Sequence, residues 1–594
     1  MRRLATLWFL LAALTGAATA QERAPQLRIG AAQHLGPIHA LAVSRDGALI
    51  ATGGDDKTVR VWDAATGEPL KVLRPSIGSG PDGVVYALAF NASGANLLAG
   101  GISGLDAGAP NGLYVLRPGQ DALRGRRPVN GALRRVVYGT DGAGGPRVGL
   151  AFSEGGGGAV EFWSGGGQIL LVEPTPAPVS WLDFAPDGRA AAALENGDLR
   201  LYAPDFSWAE HRLAAGAAPA VARFSPDGSL IAVGYYNRRQ VDVLDAASLR
   251  TVATLAGAVA VGEQPAFNAL AWVPAAGATG GGELWAGGGY GDLETGRAIV
   301  RRWRDVRAED AYEDLPVAED SLTALEALPG GGAAFAATDP AWGVIGGDFT
   351  LRFARGRAGG DFRLVYDALF AASPDGASVA FRLDQIDDMR LIFDGDALTL
   401  DPAGDDHPRR AEFDGWRKPA PPAALEGWRM GRARWAGAAL PLQANERAVS
   451  ADAMPDGGAV VGADYGIYVL DAGGRVRAAL ETPTSAYGVL ALGADRVLAA
   501  MGDGALRWYA VEDGALREQA ALFVERGARR WLAWTPDGSF AHSENGGQEL
   551  AGYHVDRGLD ALARWVAFRQ IYAEGFAPEA VRAALAGGAG AAGA

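Results

Sequence analysis

Residues His34 to Asp63 read HLGPIHALAVSRDGALIATGGDDKTVRVWD, and no other stretch constrains the fold as strongly. A hydrophobic strand, an Asp-Gly turn, a second strand, an Asp-bearing hairpin and a third strand ending on Trp62-Asp63 fill about thirty residues. One such unit cannot stand alone, because its buried faces need like units stacked beside it. The rest of the chain must supply them.

It does so in degenerate form. The turn between the first two strands returns as APDGRA (Asp187-Gly188), SPDGSL (Asp227-Gly228), SPDGAS (Asp375-Gly376), MPDGGA (Asp456-Gly457) and TPDGSF (Asp537-Gly538). Pro presets φ and Gly accepts a positive φ, so Pro-Asp-Gly between apolar runs is a turn with a mechanism. Weaker turns lie at Ser93-Gly94, Asp141-Gly142, Pro274 to Gly277, Gly330 to Gly332 and Gly493 to Asp495. Successive steps from Gly47 to Gly94, Gly142, Gly188 and Gly228 are 47, 48, 46 and 40 residues. The steps from Gly376 to Gly457 and from Gly457 to Gly538 are 81 each, or two units of about 40. The slot near Asp414-Gly415 stays open. Third strands agree with this count: VRVWD, VEFW, LRLY, VDVLD, VRRW, IYVLD and LRWY alternate roughly and close on an aromatic residue or Leu.

Period, strand pattern and the Trp-Asp ending resemble the WD-repeat family of β-propellers. Eleven blades are supported and a twelfth is open, while a single ring usually holds four to eight. The expected fold is therefore all-β, with tandem WD-type propellers of about 11–14 four-stranded blades in two rings and a short C-terminal helix. The first ring is expected over 21–366 and the second over 367–557, with an irregular Pro-rich excursion over 401–447. A helical segment is expected over 558–585, with Leu562, Trp565, Val566 and Tyr572 near one face, and a disordered tail over 586–594. The resemblance implies that His34, Thr52, Asp56 and Trp62 form the hydrogen-bonded tetrad of a WD blade. In that arrangement the Asp holds the His and the chain of bonds reaches the Trp indole N–H. No nucleophile accompanies the pair, so it reads as structural and not as a catalytic dyad.

The N-terminus has the design of a targeting segment. Arg2 and Arg3 precede an apolar run from Leu4 to Ala17, and Ala18-Thr19-Ala20 supplies a small-residue cleavage site. This predicts a Sec-type signal peptide over 1–20, cleavage after Ala20 and a periplasmic or secreted mature chain. No other run approaches the length of a membrane helix, so stable membrane insertion is not expected. With no cysteine, disulfides and a lipoprotein anchor are both impossible. Only three of the 54 basic residues are lysines, which suggests a GC-rich bacterial genome. The formal charge is −15, and losing the two signal arginines makes it −17. Such a chain repels phosphate backbones, so no nucleic-acid partner is expected.

Several compact chemistries are excluded. Gly78, Gly80 and Gly83 satisfy G-x-G-x-x-G, but Pro81 interrupts the motif and a strand follows where a dinucleotide site needs a helix. Asp63 to Gly67 reads D-A-A-T-G, similar to pyrroloquinoline quinone propellers, but Lys71 stands where those repeats close on Trp. No Lys follows a Gly, no Glu follows a His, and the six histidines form no ligand-spaced cluster. No cofactor and no metal site are therefore expected. Acidic residues gather at Glu309, Asp310, Glu313, Asp314, Glu319 and Asp320 and at Asp384, Asp387, Asp388, Asp394 and Asp396; lacking the alternation of a calcium loop they read as solvated loops, with a cation or basic-partner patch as the alternative.

The last third carries a second resemblance. FDGWRKP (Phe413 to Pro419), WLAWTPDG (Trp531 to Gly538) and GYHVDRG (Gly552 to Gly558) are similar to bacterial WD-repeat regions that accompany caspase-like peptidase domains. Only 36 residues follow Gly558, and without Cys there is no thiolate nucleophile. The resemblance implies the propeller and not the peptidase. The expected function is a non-enzymatic exported scaffold that binds a protein partner. The alternatives are a propeller-channel hydrolase or lyase, or a regulatory subunit of a separately encoded caspase-like peptidase. Inner strands that open on small apolar residues (HALAV, YALAF, NALAW, GVLAL) argue against channel chemistry.

Overall fold

The computed structural model describes residues 25–78, 81–103, 110–120, 122–256, 266–292, 294–363, 370–383, 390–403, 408, 414–428, 432–442 and 446–587. The expected signal peptide, the end of the tail, and Asp384, Asp387 and Asp388 lie outside them. Strands account for 53% of the chain and helices for 5%, so the all-β expectation holds. Two compact units emerge. One comprises Gly36–Gly356 with Arg557–Ala563, and the other the chain up to Leu35, Arg357–Asp556 and the chain from Arg564.

The first unit is a closed ring of seven blades. Its four-stranded antiparallel sheets are drawn from contiguous stretches 38–73, 85–129, 132–175, 179–212, 219–256, 267–318 and 322–355, numbered here as blades 1 to 7. Strands follow one another in order, so each sheet is a meander. The first strand of every blade packs on that of the next, and blade 7 packs on blade 1. All seven anticipated turns of this region join the first and second strands. Gly47 and Gly228, at φ +70° and +73°, adopt the left-handed conformation that the Asp-Gly turns require.

Burial falls off from axis to rim. Second strands such as Leu49–Gly54 and Ala190–Leu194 are almost wholly buried because blades cover both faces, whereas outer strands such as Pro69–Leu73 are largely exposed. The third-strand residues read from the sequence close the gaps between blades: Trp62, Tyr202 and Trp303 are fully buried, and Trp62 packs at 4.8 Å on Trp342 of blade 7.

The second unit is less regular. Stretches 371–402, 448–481 and 486–524 each supply four antiparallel strands, the last two joined by one parallel pairing of Ala479 with Ala515, and Ala515–Val524 also pairs with Trp531–Trp534 and through it with Phe540–His542. Gln26–Ile29 does not join the first ring as expected. It pairs antiparallel with Ala551–Val555, whose other neighbour is Arg564–Ala567. The excursion is tied down: Trp428 and Trp435 pack with Val461, Tyr468 and Leu470. Fully buried Asp452 accepts hydrogen bonds from Ala420 N and from Arg417 Nη2, both at 2.8 Å. The slot near Asp414-Gly415 does not make a four-stranded blade among the described residues.

The C-terminal segment corrects the expectation of continuous helix. Leu562 packs in the core of the first unit, Trp565 and Val566 lie in the strand Arg564–Ala567, and helix appears as a 3-10 turn over Phe568–Ile571 and as α-helix over Tyr572–Gly575 and Pro578–Leu585. Alternation in Arg-Trp-Val-Ala favours a strand once a partner edge is present, and Pro578 starts the last helix at the position where Pro is best tolerated.

Candidate functional site

Of the four residues expected to form the tetrad, His34, Thr52 and Trp62 are fully buried and the Asp56 side chain nearly so. Trp62 Nε1 donates to Thr52 Oγ1 at 2.7 Å, and both residues are fully buried. Asp56 accepts from Thr58 N at 3.1 Å and Thr58 Oγ1 at 2.8 Å, and its second oxygen lies 3.5 Å from buried Arg60. His34 is fully buried in the other compact unit, where its carbonyl accepts from Ala358 N.

The ring carries a more informative feature that sequence reading missed. In every blade the pairing of first and second strands slips by one residue, leaving His39, Tyr86, Arg134, Ser180, Ala220, Asn268 and Thr323 unpaired in turn. A bulge frees a residue from the ladder and re-aims its side chain, so seven equivalent bulges form one circle at the same end of the ring. Two of them stitch blades together: Ser180 Oγ donates to Pro219 O at 2.7 Å, and Thr323 Oγ1 donates to Ile38 O at 2.6 Å. Three others form a connected group. His39 Nε2 is 2.9 Å from Asp55 Oδ1, the His39 and Tyr86 rings lie 5.0 Å apart, and the Arg134 guanidinium sits 5.4 Å over Tyr86. Tyr236, 47% exposed, lies within electrostatic reach of Glu195 and Arg134. Exposed aromatic and Arg side chains held in place by neighbours are the chemistry of a binding surface. The signal was present: a polar residue precedes Ala-Leu-Ala in blades 1, 2 and 6, as His39, Tyr86 and Asn268. The expectation that these strands open on small apolar residues overlooked that position.

Below the circle the ring is tied across. Glu326 of blade 7 takes Arg135 of blade 3 at 2.7 Å and Arg223 of blade 5 at 2.6 and 3.0 Å, and Arg223 also reaches Leu325 O at 3.0 Å. Trp181 of blade 4 lies between the two guanidiniums, at 3.9 and 4.8 Å. Asp183 accepts from Phe224 N at 3.0 Å. Burial pushes the Asp183 carboxyl up against the opposing pull of Arg223. On Glu326 burial acts the same way, but the two guanidiniums outweigh it and hold that carboxyl down. Small residues at the facing positions of blades 1, 2 and 6 (Ala42, Ala89, Ala271) complement these long side chains. The groups neutralise one another, so the arrangement is a clasp between opposite blades.

The cluster from Glu309 to Asp320 is only in part a solvated loop: Glu309 and Asp310 lie in an exposed turn, but Glu313 and Asp314 stand on a strand. Tyr312–Ala318 is the outer strand of blade 6, and its Asp314 and Glu313 neutralise buried Arg301 and Arg302 at 2.7 and 2.5 Å. Asp394 binds the backbone N–H groups of Asp396 and Ala397, as a turn carboxylate does. Among the described residues no group of three or more His, Asp or Glu side chains is placed to hold a metal ion, and no helix is long and apolar enough to cross a membrane.

Comparison with known proteins agrees with this architecture. Residues 29–63 match the family model described as "WD domain, G-beta repeat". The "Guanine nucleotide-binding protein subunit beta" of Arabidopsis thaliana is 40% identical over 67 residues, 11% of this chain and 18% of that protein. The "Dynein assembly factor with WD repeat domains 1" of Mus musculus is 41% identical over 58 residues, 10% of this chain and 13% of that protein. The chain thus spans less than a fifth of the curated relatives it matches. With a WD match in its first blade and four-stranded meanders closing into a ring, the chain carries a WD repeat and has the fold of a WD-type β-propeller.

Proposed function

We propose that this chain is an exported, non-enzymatic scaffold that binds a protein partner through the bulge-bearing mouth of its seven-bladed ring. The observation that carries the reading is the group His39, Tyr86, Arg134 and Tyr236, presented above an axis crossed by the Glu326 clasp. A rigid ring loses little conformational freedom on binding, and a few aromatic and Arg anchors supply most of the affinity. The clasp favours this reading over a channel hydrolase, since its carboxylates are engaged by guanidiniums and a backbone N–H. Export rests on the Arg2-Arg3, apolar and Ala-Thr-Ala design of the first twenty residues. A separately encoded caspase-like peptidase is the partner class that the resemblance in the last third supports.

The test uses the mature chain as bait against the periplasmic fraction, with partners identified by cross-linking. Arg134→Glu and Tyr236→Ala should abolish capture of the specific partner without lowering the melting temperature, while Arg307→Glu on an exposed turn should not. Capture indifferent to both mouth substitutions, or turnover of peptide, ester or glycoside probes lost on a single Asp or Glu substitution, would overturn the reading.

A further inference from the structure

One outer edge of the ring carries a dense exposed apolar patch. Ile169–Thr175 is the outer strand of blade 3 and ends its sheet, so one side of its backbone faces no neighbouring strand. Of the eleven large hydrophobic side chains exposed among the described residues, three stand on this strand: Ile169 at 54%, Leu170 at 37% and Val172 at 50%. Native edges are normally blunted by charge. The outer strands of blades 4, 6 and 7 (WAEHR, YEDLPVA, LRFAR) carry charged residues, whereas the blade 3 strand has its one charge, Glu173, beyond the apolar patch and 3.7 Å from Arg200, with none from Gly165 to Val172.

Beside it lies an uncompensated positive strip. The outer strand of blade 2, Ala122–Val129, carries Arg124, Arg126 and Arg127, and none of them pairs with a carboxylate among the described residues. Arg127 reaches across to blade 3, donating to Gly167 O at 2.5 Å and stacking 5.4 Å over Trp163. Arg126 donates to Pro110 O and lies 5.9 Å over Tyr114. At blade 6, by contrast, the guanidiniums are neutralised, Arg301 by Asp314 and Arg302 by Glu313. Positioned cations without anions, on a chain of charge −15, mark a place where negative charge is to come from outside.

We propose that the outer edge of blade 3 is a strand-addition site for an extended partner segment in which apolar residues alternate with acidic ones. Main-chain hydrogen bonds to the open edge supply register, apolar side chains cover Ile169, Leu170 and Val172, and the acidic ones meet Arg127 and its neighbours. A second copy of the chain is disfavoured, since edge-to-edge pairing brings two arginine strips into one interface. The site is separate from the mouth and does not depend on it.

Fluorescence polarisation with the full mature chain tests this. The probes are labelled peptides of about eight residues, the length of a typical strand, alternating Val or Ile with Asp or Glu. Matched control peptides carry Lys and Arg in place of the acids. The acidic set should bind and the basic set should not. Val172→Lys and Arg127→Glu, both at exposed positions, should each weaken binding by about tenfold or more with unchanged near-UV dichroism. Arg134→Glu should leave it unchanged, so this site and the mouth fail separately. Absence of binding by the acidic set, or equal binding by the basic set, would overturn the proposal. So would a dimer in sedimentation that Val172→Lys dissolves, which assigns the edge to a second copy. Capture of a sulfated polysaccharide that survives Val172→Lys, with no peptide bound, would likewise reassign the arginines.

Discussion

Replacing Glu326 by Ala removes the acceptor of three hydrogen bonds from two nearly buried guanidiniums. Arg135 and Arg223 keep only about a tenth of their side-chain surface exposed, at 9% and 13%, so water cannot take over the lost role. Removing one partner of such a group costs about 3–5 kcal/mol, because the remaining charge is stranded. Replacing Glu326, Arg135 and Arg223 by Met together with Asp183→Asn is a different perturbation: no charge is stranded, because Asp183 loses its own charge along with its guanidinium partners, volume is roughly kept and Trp181 still has flexible neighbours. That quadruple variant should lie within about 1–2 kcal/mol of the parent. Urea titration followed by tryptophan fluorescence reads both, as a midpoint shift at constant slope.

The pH dependence has a defined sign. The folded Glu326 carboxyl lies below its ordinary value of 4.5 because the guanidiniums outweigh burial. Its contribution is therefore complete above the unfolded value and fades as pH falls through the folded one. Asp183 is raised above 3.8 by burial, so its contribution has the opposite sign and is lost as pH rises through its folded value. Glu326→Gln should flatten the acid limb of stability. A Glu326→Ala variant within about 1 kcal/mol of the parent, below the range for a stranded buried charge, would refute the clasp.

Trp62→Ala removes a fully buried indole that packs on Trp342 and binds Thr52, and should cost about 3–5 kcal/mol in the same titration. Asp56→Ala takes the carboxylate from Thr58 and from buried Arg60, and should lower stability by about 1–3 kcal/mol, read as a lower melting temperature. Loss of partner binding with an unchanged melting curve in either variant would contradict a structural role. N-terminal sequencing of the exported chain should begin at Gln21, and an intact Met1 in the cytoplasmic fraction would argue against the signal peptide.

The sequence exposed what is local and periodic. Turn chemistry and period-2 strands marked all eleven inner hairpins, since each needs only a few adjacent residues to be recognised. The third-strand aromatics were legible for the same reason. Closure was not. Glu326 meets Arg135 and Arg223 across 191 and 103 residues, and no spacing in the chain encodes that meeting. The circle of bulge residues lay between these cases: its column is visible in His-Ala-Leu-Ala, Tyr-Ala-Leu-Ala and Asn-Ala-Leu-Ala, but only the register slip shows why that position differs. The tail was misread because Trp565 and Val566 fit a helical face until a free edge at Ala551–Val555 is known.

The clasp acquires its importance from how the ring is closed. Each of the seven blades is built from one contiguous stretch, so no strand is shared across the seam between blade 7 and blade 1. At the other six junctions the chain itself passes from one blade to the next. At the seam it enters the ring at Gly36 and leaves at Gly356. What holds the seam is therefore side-chain work: Trp62 on Trp342, Thr323 on Ile38 O, Arg355 on Thr66 O at 2.8 Å, and Glu326 reaching from blade 7 to blades 3 and 5. Sub-global opening begins where the fewest constraints must be released together. Native-state hydrogen exchange should accordingly show Ile38–Val43 and Leu322–Ala327 losing protection before Val179–Phe184, the equivalent strand opposite the seam. Glu326→Gln should widen that difference, because it weakens a tie that bypasses the seam. Equal protection in all three strands, in parent and variant alike, would mean that the ring opens as a unit and that the clasp does not close it.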